Sequence, residues 1–273
     1  MINKNTLAVI GVGNMAKSII SGIISSDVSV SQIILFDKNS DQYSDIKSKK
    51  IALTVANSIS EAVINAEYVL ISVKPQNYPE VLEKISAVDG FERKKYISIG
   101  AGITSDSVSR SLNGAYVIRV LPNLPMLIGE GTSVICENND IDKESFEFVC
   151  DVFKSAGSIM IIDEAEMNRI IGVTSSSPAY VFKFINAIYK GALAQNISDN
   201  GLLDAICDTV TGSAHLLKMS ADTPETLISR VASKGGTTEQ ALNVLNCEDF
   251  DKTIEKAMIA CTKRADELGN TSK

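Results

Sequence analysis

Between an apolar run, Leu7 to Val12, and the helically spaced Ile19, Ile20, Ile23 and Ile24, the chain reads Gly11-Val12-Gly13-Asn14-Met15-Ala16. A short run without polar residues is the signature of a strand buried on both faces. G-x-G-x-x-A between such a strand and a helix matches the dinucleotide fingerprint. In that fingerprint glycines let a pyrophosphate approach the backbone at a helix N-terminus, and the small Ala16 permits close helix-strand packing. The first amides of the helix, at Asn14 and Met15, carry the positive end of its dipole. A second strand, Gln32 to Phe36, ends in Asp37, where an acid holds the ribose hydroxyls of NAD. Lys38 follows at once and is placed to neutralise a 2′-phosphate, so both nucleotides stay open.

Further strands are expected at Ala52 to Ala56, Tyr68 to Val73, Tyr96 to Ile99, Tyr116 to Leu121, Thr132 to Cys136 and Ile159 to Ile162. Helical stretches lie between most of them, near 60–66, 78–85, 105–112 and 143–155. This alternation predicts a Rossmann-type doubly wound sheet over residues 1–162, whose ligand lies beyond the carboxyl ends of the strands. Several loops on that rim are distinctive: Asn57, Ser72-Val73-Lys74-Pro75-Gln76, Gly100-Ala101-Gly102 and Pro122-Asn123-Leu124-Pro125. After about Asp163 the alternation stops. Apolar stripes at helical spacing (Val181, Ile185, Ile188; Leu203, Ile206, Val210; Phe250, Ile254, Ala257) predict an all-helical domain over 163–273. Helices this apolar imply a core shared with a second subunit.

A net charge of −7 over 273 residues excludes nucleic acid and anionic membranes as partners, so an anionic ligand must be held by local groups. Five scattered cysteines without a C-x-x-C pair read as free thiols in a reducing compartment. With His215 as the only histidine, neither a metal site nor a triad is expected, and His215 itself reads as a packing residue. No run approaches the length of a membrane span. Met1-Ile2-Asn3-Lys4-Asn5 leads directly into the Gly-rich turn and does not read as a signal peptide, so a cytoplasmic protein is expected.

Within the helical half, Gly235-Gly236-Thr237-Thr238 precedes a helix with apolar Ala241, Leu242 and Leu245. Read blandly, it is a capped helix start with Thr237 or Thr238 as N-cap. Read functionally, it is a cradle of free amides for a small carboxylate, with threonine hydroxyls to reach the ligand's nitrogen. A dinucleotide fold without a strong acid-base residue points to hydride transfer onto a substrate that is already electrophilic, such as a cyclic imine.

The segments Gly11–Ala16, Val73-Lys74-Pro75-Gln76, Arg119-Val120-Leu121-Pro122-Asn123, Ser176-Ser177-Pro178-Ala179-Tyr180-Val181 and Gly235–Thr238 occur in an order that resembles the pyrroline-5-carboxylate reductase family. The resemblance implies reduction of 1-pyrroline-5-carboxylate to L-proline, the last step of proline biosynthesis. NADPH is the usual donor, and many members accept NADH. It implies a helical domain that interlocks as a dimer, five dimers forming a decamer in many members. Thr238 would meet the substrate nitrogen, and Gly235, Gly236, Thr237 and Ser176 would line the substrate site. Gly11, Gly13, Asn14, Met15, Asp37, Lys38, Asn57, Val73, Lys74, Pro75, Ala101, Gly102, Pro122 and Asn123 would contact the cofactor.

The chain departs from the family's usual motifs at Ser175 and Ser177 (both commonly glycine), Leu124 (commonly threonine), Lys234 (commonly proline) and Arg230 (commonly uncharged). A serine at a position needing positive φ costs about 1 kcal/mol or more. Two added cations beside a carboxylate site would improve anion binding or signal a more acidic substrate. These changes keep two alternatives in view: a reductase of another cyclic imino acid, and a dinucleotide-binding paralogue without catalysis.

Overall fold

The computed structural model describes residues 4–43, 45–137 and 141–270. Eight strands form one sheet: β1 (Thr6–Ile10), β2 (Gln32–Phe36), β3 (Ala52–Val55), β4 (Tyr68–Ile71), β5 (Lys95–Ser98), β6 (Tyr116–Leu121), β7 (Gly131–Cys136) and β8 (Gly157–Ile162). Their spatial order is β3-β2-β1-β4-β5-β6-β7-β8. Among the described strands only the β6–β7 pair is antiparallel. β1 and β4 are buried along their whole length, as expected of parallel strands covered on both faces.

Alternation along β1 sends side chains to two cores. Leu7 and Val9 pack with α1 (Asn14–Ser25) and α5 (Lys143–Lys154) through Ile19, Ile23, Val149 and Phe153. Ala8 and Ile10 pack with α2 (Ile59–Ile64), α3 (Tyr78–Ser86) and α4 (Ser105–Ser111) through Val63, Val81, Ile85 and Val108. The strand order reverses between β1 and β4, which opens a crevice above their carboxyl ends.

The chain divides into two compact units, Met1–Ser176 with Ile259–Lys273, and Ser177–Met258. The sequence-based boundary at 162/163 therefore falls inside the first unit. Loss of strand alternation marks the end of the sheet, but α6 (Glu164–Ile170) still belongs with it. Met167 and Ile171 share a buried cluster with Leu121, Val134, Cys136 and Ile162, joined by Ala265 from the last helix, α11 (Phe250–Asn270).

A buried charge sits beside this cluster. Arg119 on β6 is 1% exposed. It donates to Glu164 Oε1 at 2.6 Å and to Asn168 Oδ1 at 2.6 Å. Ser105 donates to the other Glu164 oxygen at 2.8 Å, and Asn168 donates to Asp266 at 2.7 Å. Burial, with Glu164 adding to it, pushes the nearby Cys136 thiol up to about 12.

The second unit is all helical: α7 (Ser177–Ala194), α8 (Leu202–Met219), α9 (Pro224–Val231), α10 (Thr237–Cys247) and the start of α11. Its only buried apolar residues among those described are Ala192 and Ile206, whereas Phe182, Phe184, Ile188, Leu203, Leu216 and Val244 are exposed. His215, expected to be a packing residue, lies on the exposed surface of α8 in the single chain. Phe184, Ile188, Ile206 and Val210 line an apolar groove of about 470 Å³ between α7 and α8. No helix among the described residues is long and apolar enough to cross a membrane.

Candidate active site

A groove of about 440 Å³ lies over the carboxyl ends of β1, β2 and β4, lined by Gly11, Gly13, Phe36, Asp37, Lys38, Ile59, Ser72, Val73, Lys74, Gln76 and Asn77 among others. Gly11 makes the turn at its floor. Its φ is +90°, and a Cβ there would lie 2.7 Å from the Ser72 carbonyl oxygen and 2.8 Å from a Val73 methyl. Gly13 caps α1 without a side-chain bond, and α1 has no acid in its first turn. The leading amides of that helix are thus available to a phosphate. These features fit the pyrophosphate of a dinucleotide. Gly11→Ala is expected to destabilise the fold by about 2–4 kcal/mol, from overpacking plus left-handed strain. Urea unfolding measures it, and a loss below 1 kcal/mol would mean that the turn relaxes freely.

Asp37 sits where the ribose acid was expected and also braces the turn. One carboxylate oxygen accepts from Val12 N at 2.7 Å and the other from Asn39 N at 2.9 Å. Lys38 is less free than its sequence position suggests. Its ammonium lies 2.7 Å and 2.8 Å from the two oxygens of Glu80. Hydrogen bonds from Lys38 and Lys84, then their charges, pull the Glu80 carboxyl down to about 2.

Not every expected cofactor residue lines this groove. Asn14, Met15, Asn57, Pro75, Ala101, Gly102, Pro122 and Asn123 are absent from its wall. Asn57 bonds Glu61 through both its amide and its side chain, at 2.8 Å and 3.0 Å. Asn123 is 8% exposed. Its side chain accepts from Thr132 N at 2.8 Å and donates to the Thr174 carbonyl at 3.1 Å. Gln76, the end of the rim loop picked out in the sequence, lines the groove, and so does Asn77, which no periodicity or spacing singled out.

The Gly-Gly-Thr-Thr turn lies in the helical unit. Gly235 has φ +75°, and a Cβ on Gly236 would lie 2.7 Å from Ser233 Oγ. Gly236, not a threonine, is the N-cap of α10, and it makes no side-chain capping bond. Two of the turn's amides are already used. Gly235 N donates to Glu239 Oε2 at 2.8 Å, and Gly236 N donates to the Ser233 carbonyl at 2.9 Å. The amides left over are those of Thr237, Thr238 and Glu239, the first three of the helix. Glu239 was missed in the sequence, although an acid three residues after an N-cap is a known signal.

The departures from the family motifs prove mild in geometry. Neither Ser175 nor Ser177 has positive φ, so the strain expected there does not arise. Arg230 and Lys234 are both exposed, and Arg230 is held by Asp222 through paired contacts of 2.5 Å and 2.8 Å. Leu124 is 45% exposed. Ser176 Oγ lies 3.1 Å from Cys261 Sγ. All five cysteines are free thiols, with Cys136 and Cys150 buried.

Residues 164–268 match the family model described as pyrroline-5-carboxylate reductase dimerisation. Residues 6–102 match the model of NADP oxidoreductase, coenzyme F420-dependent. A pyrroline-5-carboxylate reductase of Haemophilus influenzae is 35% identical over 268 residues, covering 96% of this chain and 97% of the relative. The solved pyrroline-5-carboxylate reductase of Coxiella burnetii is 26% identical with a TM-score of 0.86, covering 97% of this chain and 99% of that one. The Plasmodium falciparum pyrroline carboxylate reductase, solved with NADP bound, shares the fold at 22% identity and a TM-score of 0.84, covering 98% of this chain and 100% of that one. On a sequence match of that depth along nearly its whole length, the chain belongs to the pyrroline-5-carboxylate reductase family.

Proposed function

We propose that this protein reduces 1-pyrroline-5-carboxylate to L-proline with NADPH, and with NADH as a second donor. The observation that carries the reading is the start of α10, where three helix-leading amides lie beside hydroxyls on Thr237 and Thr238. Those amides suit the carboxylate of a small imino acid. The Thr238 hydroxyl, which has no hydrogen-bond partner among the described residues, would face the ring nitrogen. When bound, the reduced nicotinamide supplies a hydride to the imine carbon. The nitrogen takes one proton, and the C=N double bond becomes a C–N single bond. The chain's own work is to hold the carboxylate, orient the ring and keep a hydroxyl at the nitrogen.

Gly236 serves this reading through its lack of a side chain rather than its amide, which is already bonded to Ser233. In the other unit, Gly11, Gly13, Asp37, Val73 and Lys74 would hold the dinucleotide. The exposed apolar helices of the second unit favour a homodimer; a cytoplasmic location and a decamer built from such dimers belong to the same reading by family resemblance alone. Readings as a reductase of another cyclic imino acid or as a non-catalytic paralogue gain nothing from Ser175 and Ser177, which adopt ordinary backbone angles.

Thr238→Ala is expected to lower kcat about 10- to 100-fold, as for loss of one positioned polar group. The Kd for NADPH should change less than about twofold, since the substitution lies outside the groove. Steady-state rates with the five-membered imine, beside a fluorescence titration with NADPH, decide it. Unchanged turnover would remove Thr238 from the chemistry. Faster turnover of the six-membered imine would reassign the substrate.

A further inference from the structure

The loops that follow β4 and β5 are tied to one side chain that the proposed chemistry does not use. Tyr78, the first residue of α3, is 1% exposed. Its hydroxyl oxygen lies 3.0 Å from the Ile71 carbonyl oxygen, 3.0 Å from Ser98 Oγ and 2.9 Å from Gly100 N. A phenol donates one proton and accepts two. The Ile71 carbonyl can only accept and the Gly100 amide can only donate, so Ser98 supplies the second donated proton. Every position on the oxygen is filled.

The geometry of these three partners matters. Ile71 and Ser98 face each other in the β4–β5 register, so the hydroxyl straps the two strands together where they end. From those ends the chain leaves for Ser72–Asn77 on one side and for Ile99–Gly102 on the other. The first loop closes at Tyr78 itself. The second begins against its ring, since a Cβ on Gly100 would lie 2.8 Å from the ring's Cζ and hydroxyl. An aliphatic side chain would fill the same volume, but only the hydroxyl supplies the strap. Burial above all pushes the Tyr78 phenol up to about 12, so the strap stays neutral at working pH.

The strand order assigns the two sides of the crevice. Loops after β1 and β2, with Asp37, would serve the adenosine half of a bound dinucleotide; loops after β4 and β5 lie across the switch point and would serve the other half. We propose that Tyr78 is a positioning residue for the nicotinamide half of the bound dinucleotide, acting through its hydroxyl on the Ser72–Asn77 and Ile99–Gly102 loops. The proposal rests on the reading of the groove as a dinucleotide site.

The test compares two ligands on the assembled protein. Tyr78→Phe keeps the ring and removes the strap. Its Kd for NADPH should rise about 5- to 20-fold, as for one or two net hydrogen bonds. Its Kd for adenosine 2′,5′-bisphosphate, which lacks the nicotinamide half, should stay within about twofold. Ser98→Ala removes one donor to the same oxygen and leaves the ring in place, so it should show a smaller loss of the same selective kind. It decides the matter if Tyr78→Phe does not fold. Equal weakening of both ligands would overturn the proposal, as would a lower melting temperature with both affinities unchanged. If the unaltered protein binds neither ligand, the dinucleotide reading fails first and takes the proposal with it.

Discussion

Phe184→Asp is expected to convert the protein into a single chain with at least about 100-fold less turnover. The second unit, Ser177–Met258, contains almost no interior of its own. Ordering backbone costs about 1–2 kcal/mol per residue, and a fully buried large apolar side chain returns only about 1.5–3 kcal/mol. Two buried residues cannot offset a unit of that size. The balance must come from the exposed side chains of α7 and α8, once they are covered by another copy. Phe184 stands in the apolar groove between those helices, where a carboxylate would be buried without a partner. Sedimentation velocity at micromolar concentration, with activity in the same buffer, measures the result. A variant that stays assembled and active would place the interface elsewhere. The same reasoning predicts that the unaltered protein loses helix content on dilution below the dissociation constant of the assembly.

Arg119→Met should lower stability by about 3 kcal/mol, the low end of the range for removing one partner of a buried ion pair. The low end applies because Glu164 keeps 33% of its side chain in contact with water, against 1% for Arg119. Loss of the guanidinium removes the partner that Glu164 and Asn168 share, leaving them Ser105 and Asp266, and loosens α6 from β6. The double change Arg119→Met with Glu164→Leu should recover at least half of the loss, because no unpaired charge then remains. Urea midpoints at one fixed protein concentration give both numbers. A loss under about 1 kcal/mol for the single change would mean that water enters the cluster and replaces the arginine.

Much of the sheet was legible because its signal is local. β2 and β6 fall at the residues where alternation and flanking turns put them, and the other strands differ by one to three residues at their ends. The Gly11 turn was legible for the same reason, since a strand, two glycines and a helix are contiguous. What escaped was pairing between distant side chains. Nothing near Lys38 announces that Glu80 will neutralise it, and nothing near Arg230 points to Asp222. Asn123 stood out by its motif, and nothing near it announces that its amide will also tie Thr132 to Thr174. The boundary read at 162/163 marks the end of the sheet, whereas the compact unit runs on to Ser176, because a helix packed on a sheet and a helix packed on other helices show the same periodicity.

The double duty of Asp37 limits how this groove can be re-engineered. In the proposed complex its carboxylate would face the ribose, and it already accepts from Val12 N in the Gly11–Gly13 turn. A redesign that simply erased its charge, to welcome a phosphorylated ribose, would also unfasten the segment that cradles the diphosphate. Asparagine keeps an oxygen for Val12 N and gives up only the bond from Asn39 N, so it disturbs the turn less than alanine, which would blur any measured change of nucleotide preference with a general slackening of the turn.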